Sequence, residues 1–431
     1  MKSKEEIEVL LKSALSMVKA PHATAEYHYR HHLATRFGEN AVTQNMGGAE
    51  EYLRLVVAYG NNHGSAVTNK LDTASVDRLV KRTEKIAKNS PRDPEYMPPI
   101  APQSYPVTPR RYDETVARLS PDAIAEKIIT AVEMAKSVNY KASGLFEASW
   151  GADAIANSKN LFAFDGVSNI NYSTTMHGPL GSGSCTENGE SVFQVDANAL
   201  ARRAFETAVN AQNPKPIEPG DYTVIFEPPA VADFLDFLTW NMSAREAEEG
   251  TTVFTGKIGK RFFNELVSIE TRIDDPELPA KPFGQDGLPA RRTVWVNAGI
   301  VERLRHYRYW AGRKNTETDP LLYPLFMNGQ DRSLQDLIAQ CKKGLLVKRL
   351  WYIRYVDRKE LLLTGMTRDG LFLIENGRIV HPVTNLRFNE SPVVFLQNVI
   401  AMSRPERVQD WVKVPGIMSD QFTFSSTTES V

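Results

Sequence analysis

Imidazoles and thiols are scarce in this chain, eight histidines and two cysteines, and their spacing limits the metal or nucleophilic chemistry it can host. The one histidine cluster is His28, His31 and His32. On a strand His31 points away from the other two. His28 and His32 then stand roughly 13 Å apart at ~3.3 Å per residue, too far for one zinc with ~2 Å bonds. The cluster reads as the polar outer face of a strand. Between His177 and His306 there is no histidine at all, so no helix in that interval can present two imidazoles to one ion.

Cys185 lies in a glycine-rich stretch, 178–189, that reads as a flexible loop. Apart from His177 nothing nearby would activate its thiol, and it carries no assigned role. Cys341 follows Leu334, Leu337 and Ile338 on a helical stripe and reads as a small core residue. Gly250 to Lys257 resembles a phosphate loop, but it has five residues between its glycines and Ile258 where a magnesium-binding hydroxyl is needed. Gly181-Ser182-Gly183 lacks the third glycine and the helix of a dinucleotide fingerprint. Residues 303–310 and 342–358 interleave basic and aromatic side chains, a pattern that suits single-stranded nucleic acid. Alternation along half-buried strands explains it better, and nucleic acid is not an expected partner.

Elements that must position these residues follow from periodicity. Residues 4–19 form an amphipathic helix with a Ser3/Glu6 capping box. Thr24 to Phe37 is extended, and Glu51–Tyr59 with His63–Asn69 makes a hairpin around Gly60-Asn61-Asn62. Asp72 or Thr73 caps a second helix. Seven prolines between 89 and 120 impose an extended excursion over the surface. Ser120-Pro121 opens a third helix. Short strands run from Ala142 to Ser158, interrupted at Gly151. A strand at Asn169–His177 and a helix at Asp196–Ala211 follow.

The stretch 212–221, with three prolines and Gly220, is the expected domain boundary. Beyond it come a strand (Tyr222–Phe226), a helix (Ala230–Arg245) and mostly strands: Thr293–Asn297, Leu345–Tyr355, Leu361–Met366 and Gly370–Glu375. Asn376-Gly377 is a hairpin turn requiring positive φ.

Composition fits two globular units: 431 residues, 42% hydrophobic, 24% charged, net charge −1. Two cysteines are too few for a disulfide framework and suit a reducing compartment. The N-terminus is too acidic for a signal peptide, and no apolar run approaches the ~20 residues of a membrane span. A cytoplasmic protein without membrane contact is expected.

One block is more specific. Asp274-Asp275-Pro276-Glu277-Leu278-Pro279 precedes Phe283-Gly284-Gln285-Asp286-Gly287-Leu288-Pro289-Ala290-Arg291-Arg292-Thr293, and Asn297-Ala298-Gly299-Ile300-Val301 follows. Pro219-Gly220-Asp221-Tyr222 and Glu249-Gly250-Thr251-Thr252 add to it. Together they resemble the TldD/PmbA metallopeptidase family. Active members of that family carry His-Glu-x-x-x-His on a helix, two imidazoles for zinc with the glutamate as base. Counting back from Gly250 puts those positions at Leu235, Asp236 and Trp240. A further zinc ligand of active members, a cysteine near the C-terminus, has no counterpart after Cys341.

The resemblance therefore implies the TldE/PmbA-like subgroup that lacks the zinc motif. It implies an α+β fold of two domains. Residues 1–215 form helices on an antiparallel sheet, and 216–431 form a larger β-rich unit with the degenerate metal helix near 230–246. It also implies no catalytic residue and no metal in this chain, with zinc in a TldD-like partner subunit, or else a homodimer. Unfolded peptide is the implied substrate, with Arg245, Glu246, Gly250, Thr251, Asp286 and Gly287 shaping a channel or holding structure. A stand-alone peptide-binding scaffold, and a modulator of DNA topology or toxin–antitoxin systems, remain as alternatives.

Overall fold

The computed structural model describes residues 1–428 and shows an α+β architecture built on two sheets. The first sheet takes its strands from the N-terminal part: β1 (His22–Gly38), β2 (Ala41–Tyr59), β3 (Asn62–Thr68), β4 (Lys141–Asn157), β5 (Phe162–His177) and β6 (Ser182–Gly189). Their order is β3-β2-β1-β4-β5-β6, and every pairing is antiparallel. The accompanying helices are α1 (Lys4–Ser16), α2 (Thr73–Asn89), the short α3 (Glu114–Ala117), α4 (Pro121–Ser137) and α5 (Ala197–Asn210).

These helices begin where the sequence caps them. The Ser3 hydroxyl accepts from the Glu6 N–H while the Glu6 carboxylate accepts from the Ser3 N–H, satisfying two otherwise orphaned donors. The Asp72 and Ser120 side chains cap α2 and α4 by accepting the N–H groups of Ser75 and Ala123. The side chains of α1 and α2 pack on Ala25 and Tyr27 of β1. Those of α4 and α5 pack on Phe37 of the same strand. Odd-numbered residues of one strand share a face, so all four helices cover one side of the sheet.

The opposite side carries the proline-rich excursion and a loop from the C-terminal part. Ile155, Leu161 and Ala163 pack there on Phe283, with Ile100 and Tyr105 against them. His28 gives both ring nitrogens to carboxylates, Asp153 at 2.7 Å and Glu50 at 3.2 Å, and His31 stacks on Trp150. Burial pushes the Asp153 carboxyl up, but the His28 hydrogen bond and the Lys281 and Arg30 charges outweigh it and hold it at about 2.

Two strand expectations are corrected here. Residues 141–157 form one continuous strand instead of short pieces. A Cβ on Gly151 would stand 1.9 Å from the Tyr29 carbonyl, so this glycine permits close strand contact and breaks nothing. Cys185 lies on β6, paired with Thr174, and not in a loop.

The second sheet has eleven strands: β7 (Gly220–Phe226), β8 (Ile269–Thr271), β9 (Thr293–Asn297), β10 (Ile300–Val301), β11 (Leu325–Met327), β12 (Lys343–Asp357), β13 (Leu362–Glu375), β14 (Arg378–Pro382), β15 (Leu386–Glu390), β16 (Val399–Gln409) and β17 (Val412–Thr427). Helices α6 (Pro228–Thr239), α7 (Ala244–Glu248), α8 (Arg308–Lys314), α9 (Leu334–Gln340) and α10 (Pro392–Gln397) accompany them. Strand β7 pairs with β12 on one edge and with β17 on the other, so the path β7-β12-β13-β15-β17 closes on itself. Phe226, Phe234, Phe388, Phe395 and Phe422 pack ring to ring in its core.

The expected strands Leu361–Met366 and Gly370–Glu375 are one strand, β13 (Leu362–Glu375), kinked where Asp369 and Gly370 take positive φ. Asn376 and Gly377 both adopt positive φ at the expected hairpin turn. Residues 303–310 are not a strand: their last three residues open α8, and Arg303 turns to the buried carboxylate of Asp319 at 2.6 Å. Among the described residues no helix is long and apolar enough to cross a membrane.

Candidate functional site

Helix α6 starts at a proline pair whose missing N–H groups cost nothing in a first turn. Ala230, Val231, Phe234, Leu235 and Leu238 face the core. The opposite stripe is Asp233, Asp236, Phe237 and Trp240, at i, i+3, i+4 and i+7. Of the three positions the resemblance assigned to the metal motif, Asp236 and Trp240 share this outward stripe. Leu235 is 2% exposed and points into the apolar core.

The expected single helix through Arg245 is broken. Helix α6 ends at Thr239, Trp240 is its C-cap, and Ser243 caps the separate α7. The break is held from outside: Arg305 donates its N–H to the Met242 carbonyl at 2.8 Å and accepts from the Ala244 N–H at 3.0 Å. A continuous helix would forfeit both bonds and the Ser243 cap.

Burial pushes the Asp233 carboxyl up to about 7, against the pull of the Arg349 charge and the Leu350 N–H. Burial also raises Asp236, partly offset by a hydrogen bond with Trp240. Asp233 looks into a cleft of about 660 Å³ where the two sheets meet. Cys185, Arg203 and Glu206 line one wall, and Glu227, Lys348, Arg349 and His381 the other. Lys348 pairs with Glu227 at 2.9 Å, and Arg349 with the buried Asp369 at 3.1 Å. Burial raises the Cys185 thiol, the opposite of what a nucleophile needs.

At its other end α6 enters an aromatic group. Phe237 meets Trp240 and Tyr355 at ring separations of 5.0 and 5.3 Å, and Thr239 shares a hydrogen bond with Tyr323 at 3.0 Å. Trp240 is 52% exposed. Two carboxylates and an indole can bind and exchange protons, but they supply no soft or imidazole donor. As a zinc site this set does not fit.

The remaining predicted residues divide into local structure and an anchor. Glu246 donates its N–H to the Ser243 cap, and its carbonyl accepts from Thr251. Gly250 closes that turn with φ +78. Arg245 bonds Glu249 and, across 150 positions, Glu95 of the proline-rich segment, both at 2.9 Å. Asp286 and Gly287 take φ of +60 and +76. Arg308 donates to Asp286 at 3.0 Å and to the Pro98 carbonyl at 2.6 Å, and Tyr105 donates to the Gly287 carbonyl at 2.9 Å. The excursion at 89–120 is thus a strap that ties the Gly287 loop to the first sheet.

Sequence reasoning missed Asp233, Glu227, Lys348, Arg349 and His381. Asp233 alone left a signal, a second acid three residues before Asp236 in an otherwise apolar helix. Glu227 is the N-cap of α6, Lys348 and Arg349 are neighbours on β12 and His381 lies on β14, so these four share no motif.

Residues 219–426 match the PmbA/TldA metallopeptidase C-terminal domain. The chain is 23% identical over 360 residues to Metalloprotease MJ0996 of Methanocaldococcus jannaschii, covering 72% of this chain and 76% of that protein. It is 24% identical over 245 residues to a metalloprotease of Methanothermobacter thermautotrophicus, covering 51% of each. In fold it is similar to TldE from Thermococcus kodakarensis, with TM-score 0.88 and 18% identity over 97% of this chain and 99% of that one. A putative modulator of DNA gyrase from Thermotoga maritima is equally similar, at TM-score 0.88 and 15% identity over 97% and 100% of the two chains. The match of residues 219–426, the metalloprotease relatives and the shared α+β fold all support kinship with the TldD/PmbA metallopeptidase family.

Proposed function

We propose that this chain is the non-metal, TldE/PmbA-like subunit of a heteromeric metallopeptidase that handles unfolded peptides in the cytoplasm. One observation carries the reading. Helix α6, which the family resemblance assigns to the metal, turns Asp233, Asp236, Phe237 and Trp240 outward, with neither imidazole nor thiolate among them. A hydrolytic water needs a Lewis acid or a poised base, and a zinc-bearing homologue would supply both. This chain would contribute walls: the charged cleft beside Asp233 and the aromatic end at Trp240.

The test is reconstitution with a homologue carrying His-Glu-x-x-x-His. The isolated chain should leave an unfolded peptide intact, and the mixture should cleave it. Replacing the homologue's motif glutamate should abolish cleavage, while Asp236→Asn here should leave most of it. Cleavage by the isolated chain, lost in Asp236→Asn, would overturn the assignment. The cleft itself favours a second reading, a peptide-binding scaffold that acts without cleavage, because its walls are complete within one chain. Peptide binding by the isolated chain together with failure to associate with any zinc-bearing homologue would select it.

A further inference from the structure

Arg349 of β12 and Arg368 of β13 stand directly opposite one another across the two strands. Like charges so placed repel. The Trp351 ring lies near both guanidinium groups, at 5.1 and 4.8 Å, and a single carboxylate serves the pair. Asp369, buried, stands 3.1 Å from Arg349 and 4.0 Å from Arg368, and Ser182 donates to it at 2.7 Å. Arg349 bonds Asp369 and Ser184 through Nη1 alone. Its Nε and Nη2 donors stay open among the described residues, as do those of Arg368.

One carboxylate between two guanidinium groups leaves a positive charge over. The Arg349 and Arg368 side chains are only 36% and 29% exposed, so water and salt screen that charge less than one on the open surface. The other charges of the cleft do not cancel it. Lys348 is matched by Glu227, and Arg203 and Glu206 are opposite charges at the exposed rim. Burial raises the Asp233 carboxyl to about 7, so it carries less than a full charge near neutrality. The same cleft has an apolar side, where Ile379 and Val380 of β14 are 44% and 49% exposed.

We propose that this cleft takes the free C-terminal carboxylate of a peptide whose last side chain is apolar. Arg349 and Arg368 receive the carboxylate, and Ile379 and Val380 the side chain. This assignment rests on the peptide handling proposed above and narrows it to chains held by one end. The planar fork of a guanidinium meets a carboxylate in two parallel hydrogen bonds, which an ammonium group does not. An interior stretch of peptide backbone is uncharged and would leave the positive charge unmet. An acidic side chain carries the same group as the chain end, and the experiment separates the two sources.

The test is titration calorimetry of the full chain with a short peptide of glycine and serine ending in leucine, as free acid and as C-terminal amide. The free acid should bind roughly tenfold more tightly than the amide, the worth of one charge-assisted contact. An amide with an aspartate in its interior should bind no better than the plain amide. Arg349→Gln and Arg368→Gln should each weaken the free acid by about the same factor and leave the amide unchanged. Arg349→Gln strips Asp369 of its nearest cation. If that variant fails to fold, Arg368→Gln and the comparison of acid with amide on the unsubstituted chain still decide. Free acid and amide bound alike would overturn the site and leave the peptide reading standing. The aspartate amide matching the free acid would overturn it in favour of a side-chain carboxylate. Binding of none of the three would overturn it as well, and cleavage by the mixture with a zinc-bearing homologue would then still support the subunit assignment.

Discussion

Helix α6 and the Gly287 loop lie in the same matched domain but are built to different ends. The loop is fixed by its backbone, with Asp286 and Gly287 at positive φ and bonds from Arg308 and Tyr105 holding it. Its neighbour Lys281 approaches Asp153 of the first sheet at 3.6 Å. The helix keeps its buried stripe while its outward stripe carries two carboxylates whose charged forms burial disfavours. Packing constraints and chemical constraints act on separate residues, so a fold can retain the first while its site departs from the second.

The largest effect should fall on the loop. A Cβ at Gly287 would stand 2.8 Å from Leu161, on a backbone with φ of +76. Gly287→Val should therefore cost about 3 kcal/mol or more in denaturant unfolding. A melting curve like that of the unsubstituted chain would remove the anchor from the account.

Asp153 and Asp233 give the comparison opposite signs in pH. The folded Asp153 is held at about 2, below its unfolded value. Its contribution is present above the unfolded value and is lost as pH falls towards 2, and Asp153→Asn should cost about 1–2 kcal/mol at pH 7. The folded Asp233 is raised to about 7. Here the unfolded chain ionises first, so stability falls as pH rises from about 4 to about 7 and then levels. Asp233→Asn should raise stability at pH 8 by about 1 kcal/mol and change little at pH 4. Unfolding free energies of both variants across pH 3 to 9 test the two signs together.

The smallest effect belongs to Trp240. Its ring is half exposed and rests on Phe237. Trp240→Ala should alter stability by less than about 1 kcal/mol while weakening peptide or subunit binding measured by titration.

Local rules made much of this legible. The Ser3/Glu6 capping box, the hairpin at Gly60, the proline opening α4 and the Asn376-Gly377 turn each depend on a few neighbouring residues. Misreadings arose where distant partners decide. Gly151 looked like a break because its sequence does not show the Tyr29 carbonyl beside it. The interruption at 240–243 depends on Arg305, and the strand reading of 303–310 failed because Arg303 turns to Asp319. The site was legible only as far as helix α6. Lys348, Arg349 and His381 reach the cleft through sheet topology, which periodicity does not encode.

The most direct test of the central claim is zinc titration of the purified full chain by calorimetry, with bound metal counted after dialysis. The outward stripe of α6 lacks imidazole and thiolate, so the account predicts no stoichiometric tight binding. One tightly held zinc per chain, lost in Asp233→Asn or Asp236→Asn, would contradict it.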